Sequence, residues 1–266
     1  MAWGPGVHLA LGNHLLGNLH LLAGPVAAVI QAYQESFLYG CLSADILVGK
    51  GKKLTRTHCH GWQAGLKLLD SVPEDNLKAY AYGYLSHLAA DVVAHNYYVP
   101  NMLQLGKGKG KISHVYIEMQ ADRNICHNKA DLKKILAKPQ KKADSLLIDI
   151  LNKPRFIFSF KKRLFRSGLA LSRKQACSCY LDFMAEKTAS DSDYFEYQDE
   201  MTKLSFYLII DCLQNTENSV VSEFDPMGFE NLGAVKKSKS PSTQKMSQVK
   251  PFFLPALNLL ALDTSG

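Results

Sequence analysis

Three residues of metal-ligand type, His87, Asp91 and His95, recur at four-residue steps inside the apolar run Tyr84-Leu-Ser-His87-Leu-Ala-Ala-Asp91-Val-Val-Ala-His95-Asn-Tyr. On an α-helix, positions four apart lie one above the other, so a helix here stacks imidazole, carboxylate and imidazole along one ridge. The intervening alanines, leucines and valines call for burial. Burying His, Asp and His with them is costly unless they are paired or hold a metal ion. Any fold of this chain must therefore bring partners to that ridge.

A second pair of the same kind, His114-x3-Glu118, begins 19 residues after His95. All nine histidines lie between His8 and His127, and the last 139 residues have none. Imidazole and carboxylate ligands, about four per ion, suit zinc, and catalytic zinc sites keep a position for water. Helical i, i+4 pairs give two converging ligands. Asp91, between two histidines, is placed to bridge two ions, and two ions within about 4 Å can clamp a phosphodiester and activate a water. The pattern predicts a polynuclear zinc site.

Helical periodicity dominates elsewhere too. Stretches near 8–34, 61–70, 75–98, 113–126, 130–151, 172–188 and 193–214 read as helices, and no sustained strand-type alternation occurs. The short run Phe156-Ile-Phe-Ser-Phe160 is ambiguous. The expected fold is all-α, a multi-helix domain over residues 1–234 built around a metal cleft. A basic linker from about Val235 to Lys250 and a short apolar tail, Pro251 to Leu262, follow. With 266 residues and 47% apolar content, the chain can bury a substantial core. The apolar run Leu9 to Ile30 is interrupted by His14, Asn18 and His20 and reads as buried helix, not a membrane span. No basic region precedes it, so no cleavable signal is expected. The six cysteines show no disulfide-framework spacing, so reduced thiols and a cytoplasmic or peripheral-membrane location are expected.

Further segments complete an ordered set: Trp3-Gly-Pro-Gly-Val-His8, then Gly40-Cys-Leu-Ser-Ala-Asp45, then Thr57-His58-Cys-His60. Taken in order with the ridge and His114-x3-Glu118, these motifs resemble the zinc-dependent phospholipase C family from about Trp3 to Glu118. The resemblance implies an all-helical fold with up to three zinc ions in a cleft. It assigns His8 and Asp91 to one zinc. Asp45, His58, His87 and the bridging Asp91 go to a second, and His95, His114 and Glu118 to the third. It makes Asp45 the group that orients or deprotonates the attacking water. His58 is preferred to His60 because it follows Thr57, as the family's histidine follows threonine. The chain departs from the family in three ways. Met1-Ala2 precedes Trp3, which speaks against ligation by a tryptophan amine; Trp3 stands only five residues before His8; and the Asp91–His95 step is short. His14, His20 and His127 match no family position and read as core or surface histidines. Trp62, Tyr97 and Tyr98 read first as packing aromatics, though aromatic faces also hold quaternary ammonium headgroups.

The charge is unevenly spread. Residues 128–180 carry 14 basic and 3 acidic groups, whereas residues 181–234 carry 2 and 12. The two blocks either pair within the fold or leave a positive face for phosphates or anionic lipid. Gly106-Lys-Gly-Lys-Gly-Lys111 reads as a flexible basic loop between the two ligand-bearing helices. Basic and aromatic residues interleave in Arg155-Phe-Ile-Phe-Ser-Phe-Lys-Lys-Arg-Leu-Phe-Arg166, which suits a membrane interface, nucleic acid, or an amphipathic helix with its phenylalanines in the core. The expected activity is zinc-dependent hydrolysis of a phosphodiester, foremost a phospholipid headgroup bond, with possible peripheral membrane contact. A nuclease of similar fold and trizinc chemistry, and a non-catalytic zinc-binding membrane-associated protein, are the rival readings.

Overall fold

The computed structural model describes residues 3–47, 58–105, 111–125, 129–171 and 192–237. Among these the chain is helical, with no strand. The helix α5 (Asp75–Val93) is its axis. From Ala79 to Val93 nearly every residue of α5 is buried, whichever way it points. A helix buried on all sides belongs inside, and its neighbours here are α1 (Pro5–Gly17), α3 (Gln34–Ile46), α4 (Trp62–Asp70) and α11 (Ser192–Asn215).

The contact of α3 with α5 is the most extensive between elements, and two glycines make it. A Cβ on Gly83 would stand 1.9 Å from the Phe37 carbonyl oxygen, and one on Gly40 would stand 2.1 Å from that of Tyr80. The backbones approach so closely that no side chain fits between them. Gly40 lies five residues before Asp45, and Gly83 four before His87, so this approach sets Asp45 beside the ridge of α5.

Beyond Val93 the axis continues as a π-turn, Ala94–Tyr98, and then as α6 (Val99–Leu105). The helix α7 (Lys111–Asn124) carries His114 and Glu118. Its Asp122 caps α1 from outside, accepting from the Gly6 and Val7 N–H groups at 3.0 and 2.9 Å. Such orphan donors at a helix start favour a carboxylate. Trp3, fully buried, ties the segment before α1 to α11 by donating from Nε1 to Ser205 Oγ at 3.1 Å, and it packs on Tyr98 with ring centres 4.5 Å apart.

The first predicted helical stretch divides into α1 and α2 (Gly24–Ala32), with a 3-10 turn at Leu19–Leu21 between them. Pro139 likewise breaks the predicted helix over 130–151 into α8 (Lys129–Ala137) and α9 (Lys141–Ile150), because its ring cannot continue the α8 ladder. The ambiguous run at 156–160 belongs to a helix, α10 (Arg155–Leu171). The last described helix, α12 (Phe229–Lys237), runs past the expected start of the linker at Val235. The predicted helix at 172–188, the loop residues 106–110 and the tail lie outside the described residues. No helix among the described residues is long and apolar enough to cross a membrane, as expected for Leu9 to Ile30.

Candidate metal centre

Three helices and one turn converge on Asp91. His8 comes from the second turn of α1, Asp45 from the end of α3, and His87 and Asp91 from α5. His60 comes from the turn that leads into α4. His8 Nε2 lies 3.3 Å from Asp91 Oδ1, His87 Nε2 lies 3.3 Å from Asp91 Oδ2, and His60 Nε2 lies 3.6 Å from that same oxygen. Asp45 Oδ1 is 3.2 Å from His60 Nε2 and 3.8 Å from His87 Nε2. The rings of His8 and His87 stack at 3.8 Å. All five side chains are buried, and Asp91 is wholly so.

Of the two histidines in the turn, His60 faces the carboxylates. The expectation set His58 there. The structure instead folds His58 back on its own backbone, where its Nδ1 accepts the N–H of His60 at 3.1 Å, and leaves it only half-buried. Residues two apart in a tight turn point different ways, and packing fixes this turn: the hydroxyl of Tyr84 on α5 donates to the Cys59 carbonyl. His58 does stay close to Cys59 and His60, and one ligand atom of each lies within 4.8 Å of the others.

His95, His114 and Glu118 form a further group with ligand atoms within 4.8 Å of one another. His114 Nε2 lies 3.0 Å from Glu118 Oε1. The π-turn carries His95, and such turns are frequent at functional sites. His95 Nδ1 is still 4.0 Å from Asp91 Oδ2, so it stands between the two parts of the cluster.

Two of the imidazoles are held from behind. His87 donates from Nδ1 to the Cys41 carbonyl at 2.9 Å, and His95 donates from Nδ1 to the Pro226 carbonyl at 2.6 Å. A carbonyl only accepts, so each of these rings carries a proton on Nδ1, which leaves Nε2 as the nitrogen able to ligate, and His87 Nε2 faces Asp91. The turn that supplies Pro226 grips the π-turn further. Asn96 Nδ2 donates to the Asp225 carbonyl at 2.8 Å, and Asn231 Nδ2 donates to the Asn96 carbonyl at 3.1 Å. Gly228, at φ 55°, closes it. These residues, distant in sequence, were not among those singled out from it; Asp225-Pro-Met-Gly228 is a turn signal, but nothing in the sequence ties it to His95.

The donor set fits a bound cation. His8 Nε2, His87 Nε2, His114 Nε2, Asp45 Oδ2 and both oxygens of Asp91 are buried without a hydrogen-bond partner. Burial disfavours an ionised Asp91, yet the positive charge of His87 beside it and the closeness of His8 hold it well below the ordinary carboxylate range. Burial likewise disfavours a charged His87, but Asp91 and Asp45 raise it. The carboxylates thus draw positive charge onto His87 and His60, whereas burial holds His8 down. Burial pushes His95 down to about 3 and keeps it neutral, the state that ligates.

His14 is exposed and packs on Phe206, His20 is exposed, and His127 lies outside the described residues. Tyr97 and Tyr98 are buried packing aromatics, and Trp62 donates from Nε1 to the Phe224 carbonyl at 2.8 Å. Cys41, Cys59 and Cys212 are buried and unbridged; the other three cysteines lie outside the described residues.

The family model for zinc-dependent phospholipase C matches residues 7–167, a span that holds every side chain of the cluster. No curated protein and no solved structure matches the chain.

Proposed function

Because the chain belongs to the zinc-dependent phospholipase C family, we propose that its buried cluster holds two or three zinc ions and hydrolyses a phosphodiester, namely the headgroup bond of a phospholipid. The observation that carries this reading is the convergence of buried, partnerless ligand atoms on Asp91, with the separate group of His95, His114 and Glu118 beside it. His8 and Asp91 would hold one ion. Asp45, His60, His87 and Asp91 would hold a second, with Asp91 bridging, and His95, His114 and Glu118 a third. His60 takes the place expected of His58 on the distances to Asp45 and Asp91.

Bound zinc supplies Lewis acidity for the phosphoryl oxygens and lowers the pKa of a water to about 7. Asp45 is suited to direct that water. Its Oδ1 faces His60 and His87, while its Oδ2 has no hydrogen-bond partner and is available to take a proton. Burial disfavours its charge, but His87 and His60 hold it below the ordinary carboxylate range, so it remains a carboxylate at neutral pH. The water oxygen bonds to phosphorus as the bond to the glycerol oxygen breaks, and a proton passes to that oxygen. Diacylglycerol and a phosphorylated alcohol result.

Elemental analysis of protein purified without chelator tests the reading, alongside Asp91→Ala and a panel of phospholipid vesicles and single-stranded DNA. We expect two or three zinc ions per chain, loss of zinc in the variant, and release of phosphorylated headgroup. Retained zinc with cleavage of DNA alone would make the chain a nuclease. Zinc without turnover of any phosphodiester would leave a binding protein.

A further inference from the structure

The helix α10 carries a surface that the zinc cluster does not use. Phe156, Phe160 and Leu164 stand at four-residue steps, so they form one row along it. They are 75%, 62% and 54% exposed, which is unusual for three large apolar side chains in line. The inward face is already occupied: Phe158 is buried, and Lys162 Nζ reaches Asp144 at 2.7 Å and the Tyr39 hydroxyl at 2.8 Å.

Beside the row runs a groove of about 720 Å³ between α8 and α10, lined by Lys133, Lys162, Arg163 and Arg166 among others. Lys162 is neutralised by Asp144. Among the described residues, Lys133, Arg163 and Arg166 meet no carboxylate. Among the described residues, Lys138, Lys142 and Lys162 pair with Glu35, Glu74 and Asp144, and not with a carboxylate of the acidic stretch within 192–237.

We propose that α10 docks the protein on an anionic phospholipid bilayer, with Phe156, Phe160 and Leu164 entering the acyl boundary and Lys133, Arg163 and Arg166 meeting lipid phosphates. An apolar row flanked by unspent cations is the pattern of a helix lying in the membrane interface. Charge complementarity selects an anionic surface. The composition of the row selects lipid over nucleic acid, since Leu164 offers no ring for a base to stack on. The helix is fastened to the core near the reaction centre: Lys161 Nζ donates at 2.8 Å to the carbonyl of Leu47, two residues past Asp45. Docking through α10 therefore fixes the orientation of α3 to the lipid. The surface is independent of the reaction proposed above.

Co-sedimentation of the full-length, zinc-loaded chain with phosphatidylcholine vesicles, with and without phosphatidylserine, tests this. Binding is expected only with phosphatidylserine and should weaken at high salt. The pair Phe156→Ala with Phe160→Ala, and separately Arg163→Glu with Arg166→Glu, should each weaken it at least about tenfold. Hydrolysis of a soluble phosphodiester and the thermal midpoint should stay as in the parent, because these side chains are exposed; read in parallel, they separate failed docking from failed catalysis. Phe160→Trp should give a blue-shifted emission on adding the same vesicles. The proposal is overturned by absence of vesicle binding, by binding that either pair leaves unchanged, by an unshifted Trp emission, or by retention on single-stranded DNA instead of vesicles.

Discussion

Asp91 lies within 4.0 Å of four imidazoles, those of His8, His60, His87 and His95, and has no exposed surface. A carboxylate in that position is tolerable only because positive charge gathers round it. Which histidine of the His58-Cys-His60 turn belongs to that circle is testable at the level of one residue. His60→Ala should lower zinc affinity and hydrolysis by at least about 100-fold, beyond the range typical of an outer-sphere substitution. His58→Ala, which loses a hydrogen bond within its own turn, should cost about tenfold or less on the same scale. Competition with a chromophoric chelator reads both. The reverse ranking would return the ligand role to His58. The sequence could offer the two candidates but not choose between them, because side-chain direction in a turn follows from packing and not from a repeat.

At the scale of the element, the α3–α5 contact and the π-turn decide whether the cluster forms. Alanine in place of an exposed helical glycine normally stabilises by up to about 1 kcal/mol. At Gly83 the sign should invert, since the new methyl would meet the Phe37 carbonyl. Gly83→Ala is expected to destabilise the fold by about 1–3 kcal/mol, as overpacking does, and to weaken zinc binding by moving Asp45 from His87. Urea denaturation with and without zinc measures both, and an unchanged or raised midpoint would contradict the close-approach role. Gly228→Ala probes the other end. It would force a non-glycine residue to φ 55° and press a Cβ to within 2.4 Å of the His95 carbonyl oxygen. We expect binding of the zinc proposed for His95, His114 and Glu118 to weaken about 10- to 100-fold, the range for lost second-sphere support, with the Asp45–Asp91 part largely retained. Equal loss of every ion would show that the turn does not act through His95 alone.

For the whole molecule, metal and fold should be linked. A ligand that binds only the folded chain adds about 4 kcal/mol when present at 1,000 times its dissociation constant. Here it would also relieve buried carboxylate and imidazole groups that lack partners. Chelation should therefore lower the thermal midpoint by several degrees, and zinc should restore it. A midpoint indifferent to chelator would mean that no ion is bound in the core.

Much of this was legible in the amino-acid order. The four-residue spacing of His87, Asp91 and His95 in apolar surroundings foretold a buried polar ridge on a helix, because helical phase is set by the backbone and repeats locally. The ordered motifs from Trp3 to Glu118 pointed to the family that the chain belongs to. Pro139 is a helix breaker by its ring alone, and it overrides the periodicity on either side of it. Only the tertiary structure could decide the rest. It turned His60 rather than His58 toward Asp91, joined Gly40 to the α5 backbone, wound residues 94–98 into a π-turn, and brought the Pro226 carbonyl to His95 across 131 residues. Each of these depends on what a side chain or carbonyl meets after the helices have packed, and no local repeat encodes such a meeting.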